Sequence, residues 1–295
     1  IFDKFRNNQV FENGNPVSYG HYNNLIGFNG EIICGDISSK KDVSLLNDFK
    51  IDYIFHQAAI SDTRVDDQSI VMQTNVNSFY DIIDLAKRND ALLVYASSGA
   101  VYGSQNSPQK VGFESPENPY GYSKYAMDLI AKKYINTNDY NKIFGLRYFN
   151  VYGPGEFYKD KTSSMIIQLG HQILSSQSAG LFIGSDKIFR DFIYIDDVVK
   201  ANFLCTYSQN PGIYNIGKGV AESFESIVKY LKEHLGDCKI NYFENPYKKG
   251  YQFHTQAEIK DSLNGIGFDP KINLKEGIKK YIPFIKKTHQ KLMND

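Results

Sequence analysis

Tyr120 and Lys124 lie four residues apart in the segment Tyr120-Gly121-Tyr122-Ser123-Lys124. On a helix that spacing puts a phenol and an ammonium on one face, within reach of one ligand. A phenol with a pKa of about 10 is a poor base at neutral pH, but a nearby ammonium favours the phenolate. Such a pair could take a proton from a hydroxyl whose carbon gives up hydride. The spacing alone equally fits a surface helix pair, since the chain has 22 tyrosines. Upstream, Tyr95-Ala96-Ser97-Ser98 closes an apolar run, and a hydroxyl at the carboxyl edge of a strand sits where open α/β sheets bind ligands. Ser98 could bond the reacting hydroxyl and the phenolate together, or simply form a turn. In Phe55-His56-Gln57-Ala58-Ala59-Ile60-Ser61 the small residues after a strand would let a dinucleotide lie close to the backbone. His56 reads as a structural or backbone-bonded histidine rather than a general base. Asn75, on the next helix, is placed to brace the loops at that edge.

The elements that must position these residues follow from apolar periodicity. Short apolar runs at Ile1 to Asp3, Glu31 to Gly35, Tyr53 to His56 and Leu92 to Ala96 alternate with helical patterns at Lys40 to Phe49 and Ser69 to Arg88, a signature of βαβ units and a parallel sheet. A helix from Tyr120 to about Ile135 and a strand from Lys142 to Tyr148 complete a doubly wound, Rossmann-like α/β domain. Beyond Gly153 and Pro154 the pattern loosens. It predicts a helix at Ser163 to Leu174, a strand at Leu181 to Ile183, the run Arg190 to Ile195, a helix at Asp196 to Tyr207 and a strand at Ile213 to Ile216. A helix capped by Ser223 and ending at Leu235, a strand at Lys239 to Tyr242 and a helix from Leu274 to about His289 follow. We expect a dinucleotide-binding domain from residues 1–150 and about 191–235, with a smaller discontinuous substrate lobe from about 151–190 and 236–295.

A chain of 295 residues is long enough to bury a sizeable core unaided. Its 33 basic and 33 acidic side chains cancel, so no long-range field points to nucleic acid or an anionic membrane. Cys34, Cys205 and Cys238 are odd in number and far apart, which fits buried thiols in a reducing cytoplasm better than disulfides or a metal site. There is neither an apolar run of membrane-spanning length nor a signal-peptide pattern. The expectation is a cytoplasmic protein with no metal, nucleic-acid or membrane partner.

Together, the Ser, Tyr and Lys motifs in this order resemble the extended short-chain dehydrogenase/reductase family. Three blocks narrow that resemblance to its ADP-glycero-manno-heptose 6-epimerases: Arg147 to Lys159, Arg190 to Tyr194, and Gly250-Tyr251-Gln252 with Thr255-Gln256-Ala257. The resemblance implies epimerisation at C6 of an ADP-linked heptose, supplying the lipopolysaccharide core, by a homo-oligomer with tightly bound NADP, NAD being the alternative. Transient oxidation to a ketone is the chemical reason for the cofactor: the stereocentre carries no acidic hydrogen, so hydride must leave and return on the other face. The cofactor's positive nicotinamide ring would further favour the Tyr120 phenolate.

Carried over by motif, Tyr120 is one acid/base and Lys159 the other, with Lys124 and Ser98 supporting. The cofactor would contact Asp3, Lys4, Lys40, Gln57, Ala58, Ala59, Ile60, Ser61, Asn75, Tyr120, Lys124 and Val151. The substrate would meet Ser98, Asn150, Lys159, Gln168, the Phe182-Ile183-Gly184-Ser185 turn, Arg190 and Tyr251. Arg190 suits a diphosphate because guanidinium offers a bidentate fork, with pairing to Asp191 or another surface acid as the alternative. Asp3 alone after its strand argues for a free ribose hydroxyl; Lys4, Arg6 and Lys40 could instead neutralise a 2′-phosphate.

This chain departs from the family pattern in three places. Gly155 stands where relatives commonly have Arg, and Gln168 where some have His. The G-x-x-G-x-x-G turn that cradles the pyrophosphate is not in the sequence, which opens on Ile1 at what reads as the family's second strand, so we expect a preceding segment. A 4,6-dehydratase is disfavoured because Ser98-Gly99-Ala100 supplies no Asp-Glu pair. A 4-epimerase of another nucleotide sugar and a non-catalytic NAD(P)-binding sensor are the remaining alternatives.

Overall fold

The computed structural model describes residues 1–246 and 252–294. In chain order its elements are β1 (Phe2–Asp3), β2 (Ile33–Cys34), α1 (Lys40–Val43), β3 (Tyr53–His56), α2 (Gln68–Met72), α3 (Ser78–Asn89), β4 (Leu92–Ser98), α4 (Pro119–Asn136), β5 (Ile143–Tyr148) and β6 (Asn150–Tyr152). There follow α5 (Met165–Ser176), β7 (Ser178–Phe182), β8 (Phe189–Tyr194), α6 (Ile195–Tyr207), β9 (Gly212–Ile216), β10 (Ala221–Ser223), α7 (Phe224–Leu235), β11 (Lys239–Phe243), α8 (Lys260–Ile266) and α9 (Leu274–Asn294).

The central sheet is parallel, in the order β3-β4-β5-β9, and β1 pairs with β2 in a separate parallel ribbon. Alternation along the strands builds a core on each face. Leu93, Tyr95 and Ile143 pack with Phe79, Ile83 and Ala86 of α3 and Met127 and Ala131 of α4. Val94, Phe144 and Leu146 face the other way, onto Val198, Ala201 and Cys205 of α6 and Ile266 of α8. This is the doubly wound α/β arrangement the periodicity predicts. Each buried Val, Leu, Ile, Phe or Met among these contributes about 1.5–3 kcal/mol.

A second core joins α5, α7 and α9 to β7 and β8 through Ile166, Leu169, Ile227, Leu231, Ile278 and Ile285. It is flanked by the sheets β10-β8-β6 and β11-β7. α7 therefore packs in this second core, and α8 against the main sheet.

Several elements differ from the periodicity. The helix expected from Lys40 to Phe49 is α1 plus a single 3-10 turn at Ser44–Leu46. The one expected from Ser69 to Arg88 runs as α2 and α3 joined by a π-helical turn at Gln73–Asn77. β6, β10 and α8 are too short for periodicity to flag. Of the three cysteines expected to be buried, Cys205 is; Cys34 is exposed and Cys238 half-buried, all as free thiols. Cys34 lies on the two-residue ribbon strand β2, which is too slight to cover it.

Candidate active site

α4 is set by a local code. Asn118 caps it by accepting the Gly121 N–H at 2.8 Å, and Pro119 occupies its first turn. Gly121 permits a close approach: a Cβ there would meet the Ala100 carbonyl oxygen at 2.6 Å. That approach carries Tyr120 to the end of β4, where the Ser98 hydroxyl hydrogen-bonds its phenol. Burial raises the Tyr120 pKa and the Ser98 bond lowers it, with a net rise.

One turn on, the Lys124 ammonium donates to the Ala96 carbonyl at 2.7 Å and lies 5.9 Å from the Tyr120 ring centre. Burial pushes its pKa down to about 8 against the opposing pull of Asp128. Asp128 in turn accepts from Tyr95, Ser97 and Arg147 at 2.8–3.0 Å. Arg147 also meets Glu114 at 2.7 Å. This network, buried around Asp128 and Arg147, locks α4 to β4 and β5.

The loop after β3 is fixed by Asn75 from the π-helical turn. Its side chain accepts the Ile60 N–H at 2.8 Å, and donates to the Ile60 carbonyl at 3.0 Å and to Ser123 at 2.9 Å. A π turn inside a helix often marks a functional site because it re-aims one side chain. Gln57 is held by the Tyr148 hydroxyl at 3.1 Å. His56 is buried, and among the described residues its Nε2 has no hydrogen-bond partner. Burial, then the Lys124 charge, push its pKa down to about 3, so it stays neutral and is a poor base at pH 7.

Two adjoining cavities form at this edge. One, of about 580 Å³, is lined by Gln57, Ala59, Ser61, Ser98, Tyr120, Lys124, Asn150, Val151 and Lys159 among others. The second, of about 420 Å³, is lined by Asp3, Lys4 and Gln57 through Ser61, and again by Lys159. The cavities thus meet at the Gln57–Ser61 loop and Lys159.

The remaining sequence candidates stand elsewhere. Lys40 is exposed and 3.7 Å from Asp81, outside both cavities. Lys4 pairs with Asp36 at 2.8 Å. Gln168 donates to the Ser163 carbonyl at 2.7 Å. In the turn after β7, Phe182 packs on Phe243, Ile183 is exposed, Gly184 has φ +81°, and Ser185 bonds Glu225 at 2.8 Å. Arg190 is buried with its guanidinium 5.8 Å from the ring of Phe224, itself a wall of the larger cavity. The alternative pairing of Arg190 with Asp191 does not form: strand neighbours face opposite ways, and Asp191 accepts the N–H groups of Lys218, Gly219 and Ala257. Tyr251 lies outside the described residues.

Sequence reasoning overlooked Glu156, Phe192 and Phe224, which also line the larger cavity. Glu156 had a signal, a carboxylate between a Gly-Pro turn and Lys159; the two aromatics read as core.

Residues 5–217 match the NAD dependent epimerase/dehydratase family. The chain belongs to that family. An ADP-L-glycero-D-manno-heptose-6-epimerase of Brachyspira hyodysenteriae is 36% identical, the alignment covering 99% of this chain and 91% of the relative. The crystal structure of the Helicobacter pylori ADP-L-glycero-D-manno-heptose-6-epimerase is 43% identical, covering 97% of this chain and 86% of that one, with a TM-score of 0.87. A UDP-N-acetylglucosamine 4-epimerase from Methanobrevibacter ruminantium, solved with UDP-N-acetylmuramic acid, is 27% identical, covering 92% and 89%, with a TM-score of 0.81. The chain is thus a nucleotide-sugar epimerase of the isomerase class that uses a nicotinamide cofactor. Among the described residues no helix is long and apolar enough to cross a membrane.

The residues present suit that cofactor at two points. Lys124 keeps donor capacity beyond its one carbonyl partner. Asp3 gives one oxygen to the Phe5 N–H at 2.6 Å and has a second to offer.

Proposed function

We propose that the protein inverts C6 of an ADP-linked glycero-manno-heptose, with Tyr120 and Lys159 as its two acid/base groups. The observation that carries this reading is that both groups, from different elements, line one cavity beside Lys124 and Ser98. When bound, the nicotinamide dinucleotide supplies a reversible hydride acceptor. Asp3 would hold the adenosine ribose; Ala58 and Ala59 would let the dinucleotide pass close to the backbone; Lys124 would bond the nicotinamide ribose.

Tyr120 accepts the proton of the reacting hydroxyl. Ser98 stabilises the phenolate through its hydrogen bond, and the Lys124 charge does so through space. Lys159 serves the hydroxyl when the sugar presents its other face, so neither group has to move between orientations. Asn150 would hold the sugar, and Arg190, beside Phe224, would face the diphosphate.

NADP is favoured over NAD by Lys4 at the edge of the smaller cavity. A homo-oligomer is favoured by the exposed Tyr80, Tyr122 and Leu129 on α3 and α4, and light scattering would test it. A cytoplasmic location accords with the nicotinamide chemistry.

The deciding assay offers purified protein the ADP-linked heptose, then UDP-linked hexoses, and follows the stereocentre by NMR in deuterium oxide. Inversion at C6 without deuterium incorporation is expected, since hydride returns from the cofactor. Turnover of a hexose alone, or deuterium at C6, would overturn the reading.

A further inference from the structure

Lys159 is carried by a short 3-10 segment, Phe157–Thr162, rather than by a regular helix or strand. The residue after it, Asp160, has φ +47° and ψ −124°, a conformation non-glycine residues keep only where their surroundings hold them. Its carboxylate meets Arg6 at 2.6 Å, from the long loop after β1. Thr162 and Ser163 donate to the carbonyls of Lys159 and Asp160 at 2.7 and 2.6 Å.

The base of the loop is closed by one side chain. Glu156 accepts the Gly153 N–H at 3.2 Å, the Ser164 N–H at 2.5 Å, the Ser164 hydroxyl at 2.7 Å and the Tyr281 hydroxyl of α9 at 2.9 Å. Three of these donors converge on Oε1 and the Ser164 N–H takes Oε2, an array that suits a carboxylate because it is acceptor-only. An amide would turn an NH2 group toward donors. With both oxygens engaged in this way, Glu156 is tied up as an acceptor although it lines the cavity.

We propose that Glu156 is a positioning residue for Lys159: it clasps both ends of the 153–164 loop and pins them to α9, so that the lysine at the tip stands ready in the cavity. This rests on the reading of Lys159 as an acid/base. Positioning matters because a displacement of about 1 Å can cost on the order of a hundredfold in rate.

The test compares Glu156→Gln, Tyr281→Phe and Lys159→Met in the full-length protein with its cofactor bound. Glu156→Gln should lower kcat about 10- to 100-fold while KM stays within about threefold. It should also speed tryptic cleavage after Lys159 and Lys161. Added to Lys159→Met, it should cost nothing more, because a misplaced base and a missing base are the same loss. Tyr281→Phe, which removes one of the four donors, should lower kcat in the same direction by less, and it carries the test if Glu156→Gln does not fold. Full-rate Glu156→Gln, or Tyr281→Phe in its place, beside a slow Lys159→Met overturns the positioning role alone. So does a loss that multiplies with that of Lys159→Met. A Lys159→Met variant at full rate overturns the acid/base assignment itself, whatever Glu156 does.

Discussion

The two halves of the proposed proton-transfer machinery are built in opposite ways. Tyr120 and Lys124 ride an 18-residue helix with a side-chain cap, locked to the sheet by the buried Asp128–Arg147 ion pair at 2.8 Å. Lys159 rides a loop whose own hydrogen bonds are short-range and whose shape depends on Glu156, Tyr281 and Arg6. A regular helix fixes relative position through backbone geometry, so spacing in the sequence carries the information. A loop fixes it through polar contacts with distant residues, so the information is spread over the chain.

The largest effect should come from the rigid half. Tyr120→Phe removes the phenolic acid/base but leaves the packing intact, and kcat should fall about 10³-fold or more, read by steady-state kinetics. A small loss would break the comparison by moving the chemistry to the loop. Next comes the acid stability of that same half. Its neighbour His56 titrates at about 3 in the folded protein against about 6.5 unfolded. Between those values the unfolded chain binds the extra proton, so stability is complete above pH 6.5 and drains away as pH falls towards 3. At about 1.4 kcal/mol per pKa unit the loss has an upper bound of several kcal/mol. Urea unfolding from pH 7 to 4 should flatten clearly in His56→Gln; an unchanged slope would place the acid sensitivity elsewhere. For the loop half, Lys159→Met should lower kcat about 10²-fold with little change in melting temperature, since no packed element rests on that side chain.

This contrast also explains what was legible in the sequence. The strands Tyr53 to His56 and Leu92 onward, the capped α4, and the Tyr-Lys spacing follow from period, caps and Gly/Pro punctuation, which are local. Asn75 could be placed on a helix, but not the π turn that aims it, because one extra residue per turn leaves the apolar periodicity almost unchanged. Lys159 had no physical signature of its own; only its motif block distinguished it from a solvated lysine. Glu156 became recognisable as a clasp only once Tyr281, 125 residues downstream, was seen to meet it. Lys40, conversely, was suggested by resemblance, and its position on a four-residue helix beside Asp81 leaves it outside both cavities.

The finest probe of the comparison is Ser98, whose hydroxyl meets the Tyr120 phenol. Its hydrogen bond opposes the rise that burial imposes on the phenol, because a donor to the oxygen favours the phenolate. Ser98→Ala removes that opposition, so the Tyr120 pKa should climb. A single hydrogen bond to a charged group is worth about 1.5–3 kcal/mol, or about one to two pKa units. At a fixed pH below the pKa, each unit costs tenfold in phenolate, so kcat at pH 7 should fall by at least about tenfold. The deficit should narrow as pH rises, because the phenolate is then recovered by titration. Replacing a loop hydroxyl, as in Thr162→Val, should lower the rate without that pH signature, since Thr162 bonds a carbonyl and not an ionising group. A Ser98→Ala deficit that stayed constant across pH would mean that this serine orients the substrate and leaves the phenolate alone.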